Sequence, residues 1–225
     1  MNNCILCGQK IDFPISIAFL LSFKPIKHKP MCDKCENQFE KIDPERICQQ
    51  CGREMETTSF CGDCVKWQSL GNSFINRAVY KYNDAMKEYM HRYKFTGDYN
   101  LRKSFAAEFC SHIDTKKIIV PIPVSEETMA ERGFNQVIGL LETIEIVEAL
   151  DINQESKIRQ SSLNRKQRLK ASQVFKINDN MKDVIKDKEI IIVDDIYTTG
   201  TTMHHAAQVL LENGAKSVRG LTLCR

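Results

Sequence analysis

The sequence contains no long apolar run. Its longest, ISIAFLLSF at residues 15–23, is too short to span a bilayer and is bounded by prolines. No membrane insertion is therefore expected. The N-terminal MNNCILCGQK has no basic region followed by a hydrophobic one, so no signal peptide is expected and the default location is cytoplasmic. Strong charge is also missing: 32 Lys and Arg stand against 29 Asp and Glu, a net +3 that argues for neither nucleic acid nor membrane. The signature G-x-x-x-x-G-K-[ST] is absent, which argues against a P-loop nucleotidase. There is no low-complexity segment, and no internal repeat beyond four cysteine pairs. Past residue 64 only Cys110 and Cys224 remain. Being unpaired, they read as small buried apolar side chains rather than ligands.

The 225 residues, 42% hydrophobic, suffice for one α/β domain and a small appendage. Eight of the ten cysteines fall in the first 64 residues as C-x-x-C pairs: Cys4/Cys7, Cys32/Cys35, Cys48/Cys51 and Cys61/Cys64. A cytosol keeps thiols reduced, so the pattern reads as metal rather than disulfide. A C-x-x-C turn presents two thiolates to one Zn²⁺, and two such turns complete a tetrahedral structural site. Two zinc ions are expected. Sequential pairing is preferred, with 4, 7, 32 and 35 on one ion and 48, 51, 61 and 64 on the other, but spacing leaves an interleaved order open. An all-thiolate site has no open position, so catalysis is not expected there. The zinc either replaces a core too small to fold alone or shapes a docking surface for DNA or protein.

Composition changes after Trp67, which divides the chain into a cysteine-rich double zinc-ribbon domain, 1–68, and an α/β domain, 69–225. In the latter, a strand is expected at 76–83 and an amphipathic helix over Asp84–Phe95, with Asp84 near its cap. A second helix is expected at 99–113. KKIIVPIPV (116–124) reads as a buried strand ending at prolines, SEETMAERGFNQ as a loop, and the apolar stretch after it as a helix to about Leu150. EIIIVDD is another buried strand. A helix from about Thr201 to Asn213 ends at Gly214, and SVRGLTL is a last strand. Strands alternating with helices imply a mostly parallel sheet flanked by helices.

IIIVDDIYTTGTT, residues 190–202, carries the sharpest signal. A hydrophobic strand delivers Asp194 and Asp195 to its C-terminal end, where open α/β sheets bind ligands. Thr198, Thr199, Gly200, Thr201 and Thr202 then wrap into a helix N-terminus, whose amides and dipole favour an anion. Carboxylates beside a phosphate cradle need a ligand that also offers hydroxyls, directly or around Mg²⁺. A ribose 5-phosphate meets both demands. The stretch resembles the phosphoribosyl pyrophosphate motif of the type I phosphoribosyltransferases at all thirteen positions. That resemblance implies that residues 198–202 hold the 5-phosphate and that Asp194 and Asp195 hold the ribose 2- and 3-hydroxyls. The same acids would be catalytic, steadying positive charge at the sugar carbon as pyrophosphate leaves. Lys94, in YKFTGD, and Arg132, in ERGFNQ, are expected near the diphosphate.

The cysteine pairs, KFTGD, VPIP, RGFN and VDDIYTTGTT occur in one order, and this combination is similar to the ComF family of competence proteins, ComFC-like members in particular. The segment at 160–175 looks like the family's Q-x-x-L-x-R-x-x-R stretch, matched by Gln160, Leu163, Arg165 and Arg168. In related transferases a mobile basic loop here closes over pyrophosphate. Six cations and no acids lie between Lys157 and Lys170, so contact with single-stranded DNA phosphates is a further reading. No aromatic side chain interrupts that run, which disfavours base stacking within it. The resemblance makes 69–225 a phosphoribosyltransferase-like domain that binds phosphoribosyl pyrophosphate with Mg²⁺. It implies a role in natural transformation: handling incoming single-stranded DNA in the cytosol, at the cytosolic face of the uptake machinery, alongside a competence helicase and other DNA-processing proteins. It supplies no acceptor. Two functions stay open, a binding module and an active Mg²⁺-dependent transferase, for example in nucleobase salvage.

Overall fold

A computed structural model describes residues 3–11, 21, 29–56, 59–153 and 173–225. Strands β1 (Ile75–Tyr80), β2 (Ile118–Pro121), β5 (Glu189–Ile196) and β6 (Ser217–Cys224) form a parallel sheet in the order β1-β6-β5-β2. The central strand β5 is buried at six successive positions. It therefore reads as a continuous branched-apolar run rather than an alternating one, as a strand covered on both faces must.

Side chains alternate across β5. Ile191 and Val193 join Tyr89, Tyr93, Leu101, Phe105 and Phe109 in one core, and Ile190 and Ile192 join Phe74, Ile185, Met203 and Leu210 in another. The first core is covered by α3 (Asp84–Phe95) and α4 (Ala106–Ser111), the second by α8 (Thr201–Glu212). Asn83 caps α3, its side chain accepting from the Met86 N–H, so the cap lies one residue before the expected Asp84. The helix expected at 99–113 is instead a 3-10 turn, Tyr99–Ser104, followed by α4. Phe105 at the junction is locked edge-on against Phe39 and Tyr89, and this packing overrides a continuous helix.

Two further expectations are corrected. The 125–136 loop contains α5 (Glu126–Arg132), capped by Ser125 and ended by Gly133 at φ 81°. The helix expected to reach Leu150 covers only α6 (Gln136–Leu140). Beyond it the chain leaves the helix through a turn, Ile144 N–H bonding Leu141 C=O, and Val147 N–H then bonds Ile119 C=O. Leu150 lies in β3 (Leu150–Ile152), which pairs antiparallel with an unforeseen β4 (Phe175–Ile177). Most of the chain between β3 and β4, including Gln160, Leu163, Arg165 and Arg168, lies outside the described residues. A short α7 (Lys182–Ile185) precedes β5.

The cysteine-rich segment contributes α1 (Asp33–Glu36) and α2 (Gly62–Ser69) and closes the β1 edge. Ile42 N–H bonds Val79 C=O, Lys81 N–H bonds Glu40 C=O, and Asn76 N–H bonds Gln50 C=O at 2.7 Å. An edge strand that would template pairing with another chain is thereby covered. Gly52 has φ +74°, and an added Cβ would sit 3.2–3.3 Å from the β1 backbone at Asn76, Arg77 and Ala78. Gly52→Ala is expected to cost about 1–2 kcal/mol from its backbone conformation and the close approach. A thermal melt checks this, with a drop of about 2–6 °C expected.

Candidate functional site

β5 carries Asp194 and Asp195 into the C-terminal end of the sheet, both nearly inaccessible at 7% and 3% exposure. β2 runs beside it, and Ile122 N–H bonds Val193 C=O, so the prolines of VPIP border the acids. The last turn of α3 supplies Lys94, whose Nζ lies 2.6 Å from Asp195 Oδ2. Lys94 is itself largely buried, at 16% side-chain exposure. Arg132 comes from the end of α5. Its Nε donates to the Lys94 carbonyl at 3.0 Å, a second guanidinium nitrogen bonds the Gln136 side chain, and the group faces the Phe95 ring at 5.7 Å. The residues expected around a diphosphate sugar, Asp194, Asp195, Lys94 and Arg132, thus meet at one corner. Asn135 anchors that corner by donating to Ile122 C=O and capping α6.

The two carboxylates are not equivalent. Asp195 is ion-paired. Asp194 accepts the backbone N–H of Asp195 at 2.9 Å and lies in hydrogen-bond contact with the Asp195 carboxyl. Burial, with the Asp195 charge added, pushes Asp194 up to about 8, against the opposing pull of Lys94 and the backbone bond.

After β5 the chain turns through Tyr197, Thr198, Thr199 and Gly200 into α8. Gly200 is the N-cap residue at φ +84°, and a Cβ there would clash with the Tyr197 ring. α8 has no side-chain cap, so its first-turn amides are offered to the loop, as an anion requires. Thr199 and Thr201 hydroxyls lie 3.0 Å apart on the same turn. Thr198 and Thr202 are exposed, and Thr199 and Thr201 partly so. The loop rests on residues that the sequence reading did not single out. Trp67 Nε1–H donates to Thr199 C=O at 3.0 Å, and Trp67 stacks on His204. Arg225 donates to the carbonyls of Tyr197 and Thr198. No local motif marks these partners, because each lies far from the loop in sequence or behind it in space.

The thiols gather as two sets, Cys4, Cys7, Cys32, Cys35 and Cys48, Cys51, Cys61, Cys64, each with its Sγ atoms within 4.8 Å of one another. This is the sequential pairing. Tetrahedral zinc with Zn–S bonds of about 2.3 Å sets its sulfurs about 3.8 Å apart. Cys7 and Cys32 Sγ are 3.8 Å apart, and Cys51 and Cys61 Sγ 3.6 Å. The donor sets therefore fit zinc. Cys32 and Cys61 each sit at a helix N-cap, which brings the second cysteine of the pair round one turn. Cys224 is buried as expected, and Cys110 is partly buried. Elemental analysis is expected to give about two zinc ions per chain; one or none would contradict the eight-ligand arrangement.

Residues 114–225 match the phosphoribosyl transferase domain family. Over 99% of its length the chain is 35% identical to Competence protein ComFC of Bacillus subtilis, covering 94% of that protein. It is 38% identical to Competence protein ComFC of Streptococcus pneumoniae, over 99% of this chain and all of that one. DNA utilization protein YhgH of Salmonella typhimurium is 26% identical over 89% of this chain and 92% of its own.

Proposed function

The chain belongs to the ComFC family of competence proteins, and from that premise we propose that it binds phosphoribosyl pyrophosphate at the end of β5 and assists the handling of incoming single-stranded DNA in natural transformation. The observation that carries the reading is the buried Lys94–Asp195 pair beside Asp194, next to an uncapped helix entrance rich in threonine. In this reading Thr198, Thr199, Gly200, Thr201 and Thr202 receive the 5-phosphate through amides and hydroxyls. Asp194 and Asp195 accept hydrogen bonds from the ribose diol. Lys94 and Arg132 face the diphosphate; Gln160, Arg165 and Arg168, expected from the resemblance to act on it too, lie outside the described residues.

Mg²⁺ suits the carboxylate oxygens of Asp194 and Asp195 and would neutralise charge on the diphosphate. The four-thiolate sites hold zinc and cover the β1 edge. No described helix is long and apolar enough to cross a membrane; we place the protein in the cytoplasm, recruited to the cytosolic face of the uptake machinery with a competence helicase. The YhgH relatives, named for DNA utilization, support the DNA role.

A second reading is an active Mg²⁺-dependent transferase with an unknown acceptor, for example a nucleobase. Two acids at the sugar and a basic stretch at 157–170 favour it. One experiment separates the two. The protein is incubated with Mg²⁺, labelled phosphoribosyl pyrophosphate, and bases, nucleosides or single-stranded DNA, and pyrophosphate release is followed. Acceptor-dependent release supports the transferase; binding without release supports the module. No binding at all removes both.

The proton on Asp194 gives a pH prediction. A carboxyl raised from 3.8 to about 8 stabilises the unliganded fold below pH 4 and loses that contribution as pH rises towards 8. A ligand diol that needs the anion binds in the opposite sense. Affinity is expected to rise as pH rises from 6 towards 8, by up to about tenfold per unit, with net proton release on binding in that range. Calorimetry in buffers of different ionisation heat measures that proton. Asp194→Asn should remove the release, and an equal release in the variant would contradict the assignment.

A further inference from the structure

The 198–202 loop is tied from below to the second cysteine cluster. α2 starts at Gly62, directly after Cys61, contains Cys64, and carries Trp67 one helical turn further on. Trp67 is the protein's sole tryptophan and is 6% exposed. Its Nε1–H bonds Thr199 C=O at 3.0 Å. Its ring lies flat on His204 in the first turn of α8, with centroids 3.9 Å apart and planes 10° apart. His204 shares a 3.2 Å hydrogen bond with the Tyr197 hydroxyl, which lies under Gly200. On the other side the Arg225 guanidinium lies 4.3 Å from the Tyr197 ring centroid and holds the Tyr197 and Thr198 carbonyls. The same cluster is clamped to the sheet, since Asn76 donates to Cys51 C=O. The first cluster reaches a different element: Arg92 of α3 donates to Leu6 C=O.

We propose that Trp67 is a positioning residue for the phosphate loop, coupling its shape to the integrity of the second four-cysteine cluster. This rests on reading residues 198–202 as a phosphate cradle. The physical reason is the peptide plane. In a trans peptide the C=O and the next N–H point opposite ways. Holding Thr199 C=O down against Trp67 turns the Gly200 N–H away from Trp67. Gly200, at φ +84°, is the residue most able to flip. The tryptophan bond selects one of its orientations.

Trp67 depends on the cluster in turn. α2 has only eight residues, too few to persist as a helix without anchorage. Cys61 and Cys64 anchor its start. Coupling of this kind is reciprocal: a ligand that orders the loop must hold the metal more tightly by the same factor.

The test uses the zinc-loaded full chain and ribose 5-phosphate as probe. Chelation is expected to shift Trp67 emission to the red. The variant Cys4→Ser with Cys7→Ser, disrupted at the first cluster, should keep wild-type emission. Trp67→Phe keeps a ring on His204 and removes the N–H donor. It is expected to weaken ribose 5-phosphate binding about three- to tenfold, the loss of one hydrogen bond, with a near wild-type melt. Amides of residues 199–202 should exchange faster in that variant. In wild type, ribose 5-phosphate should slow zinc release to the chelator, and in Trp67→Phe it should not. Emission indifferent to metal stripping, or wild-type exchange at 199–202 in Trp67→Phe, overturns the coupling. If wild type does not bind ribose 5-phosphate, the cradle reading falls, while amide exchange at 199–202 in Trp67→Phe still decides the coupling. Should the first-cluster variant not fold, exchange in Trp67→Phe decides alone.

Discussion

Replacing Asp194 and Asp195 together by asparagine is expected to abolish binding of phosphoribosyl pyrophosphate with Mg²⁺, a loss of about a hundredfold or more, while the chain stays folded. The magnitude follows from what asparagine cannot do. It accepts hydrogen bonds through one oxygen only, carries no charge for a cation, and leaves Lys94 without its counter-ion. Charged hydrogen bonds contribute about 1.5–3 kcal/mol each, and two carboxylates supply several. The single variants should differ in an informative way. Asp195→Asn strands a lysine that is 16% exposed. Breaking a buried pair costs about 3–5 kcal/mol, so this variant should melt at a clearly lower temperature. Asp194→Asn replaces a carboxyl already pushed up to about 8 by burial and its neighbour. An amide of the same shape avoids that conflict, so stability should hold or rise while binding falls. Wild-type affinity in the double variant, by calorimetry, would remove the acids from the site.

The second large effect is expected at the cysteines. Cys51→Ser with Cys64→Ser should strip one zinc and unfold the chain near 37 °C. Structural zinc contributes about 10–16 kcal/mol in small metal-folded units, comparable with the whole stability of a domain. Here the loss also exposes the β1 edge, because Gln50 C=O and Gly52 lie on its backbone. It releases Trp67 from beneath the loop as well. Zinc content by elemental analysis should fall from about two to about one per chain, with an early, broad melt. Two retained ions, or an unchanged melt, would mean that the thiols are neither ligands nor a structural support.

The sheet was legible where burial imposes a simple pattern. A short, β-branched run such as IIIV reads as a strand covered on both faces, and the two acids at its tip announce a ligand end. The cysteine spacing announced tetrahedral sites, but only the fold places the sulfurs in sequential sets. The 99–113 helix and the helix to Leu150 were misread because tertiary contacts decide them. Phe105 is held by rings from Phe39, Tyr80 and Tyr89, and Val147 bonds to Ile119. Lys94 was placed near the ligand by motif alone, yet its partner Asp195 lies about a hundred residues on, a distance that no local pattern spans. Trp67 and Arg225 support the loop from behind through its carbonyls. Such bonds involve main-chain atoms, which leave no trace in side-chain patterns.

The central claim is tested most directly by a crystal structure of the protein soaked with ribose 5-phosphate. The account predicts a phosphate seated among the amides and hydroxyls of Thr198, Thr199, Gly200, Thr201 and Thr202, with the sugar diol against Asp194 and Asp195. A sugar phosphate bound elsewhere, with that turn empty, contradicts it.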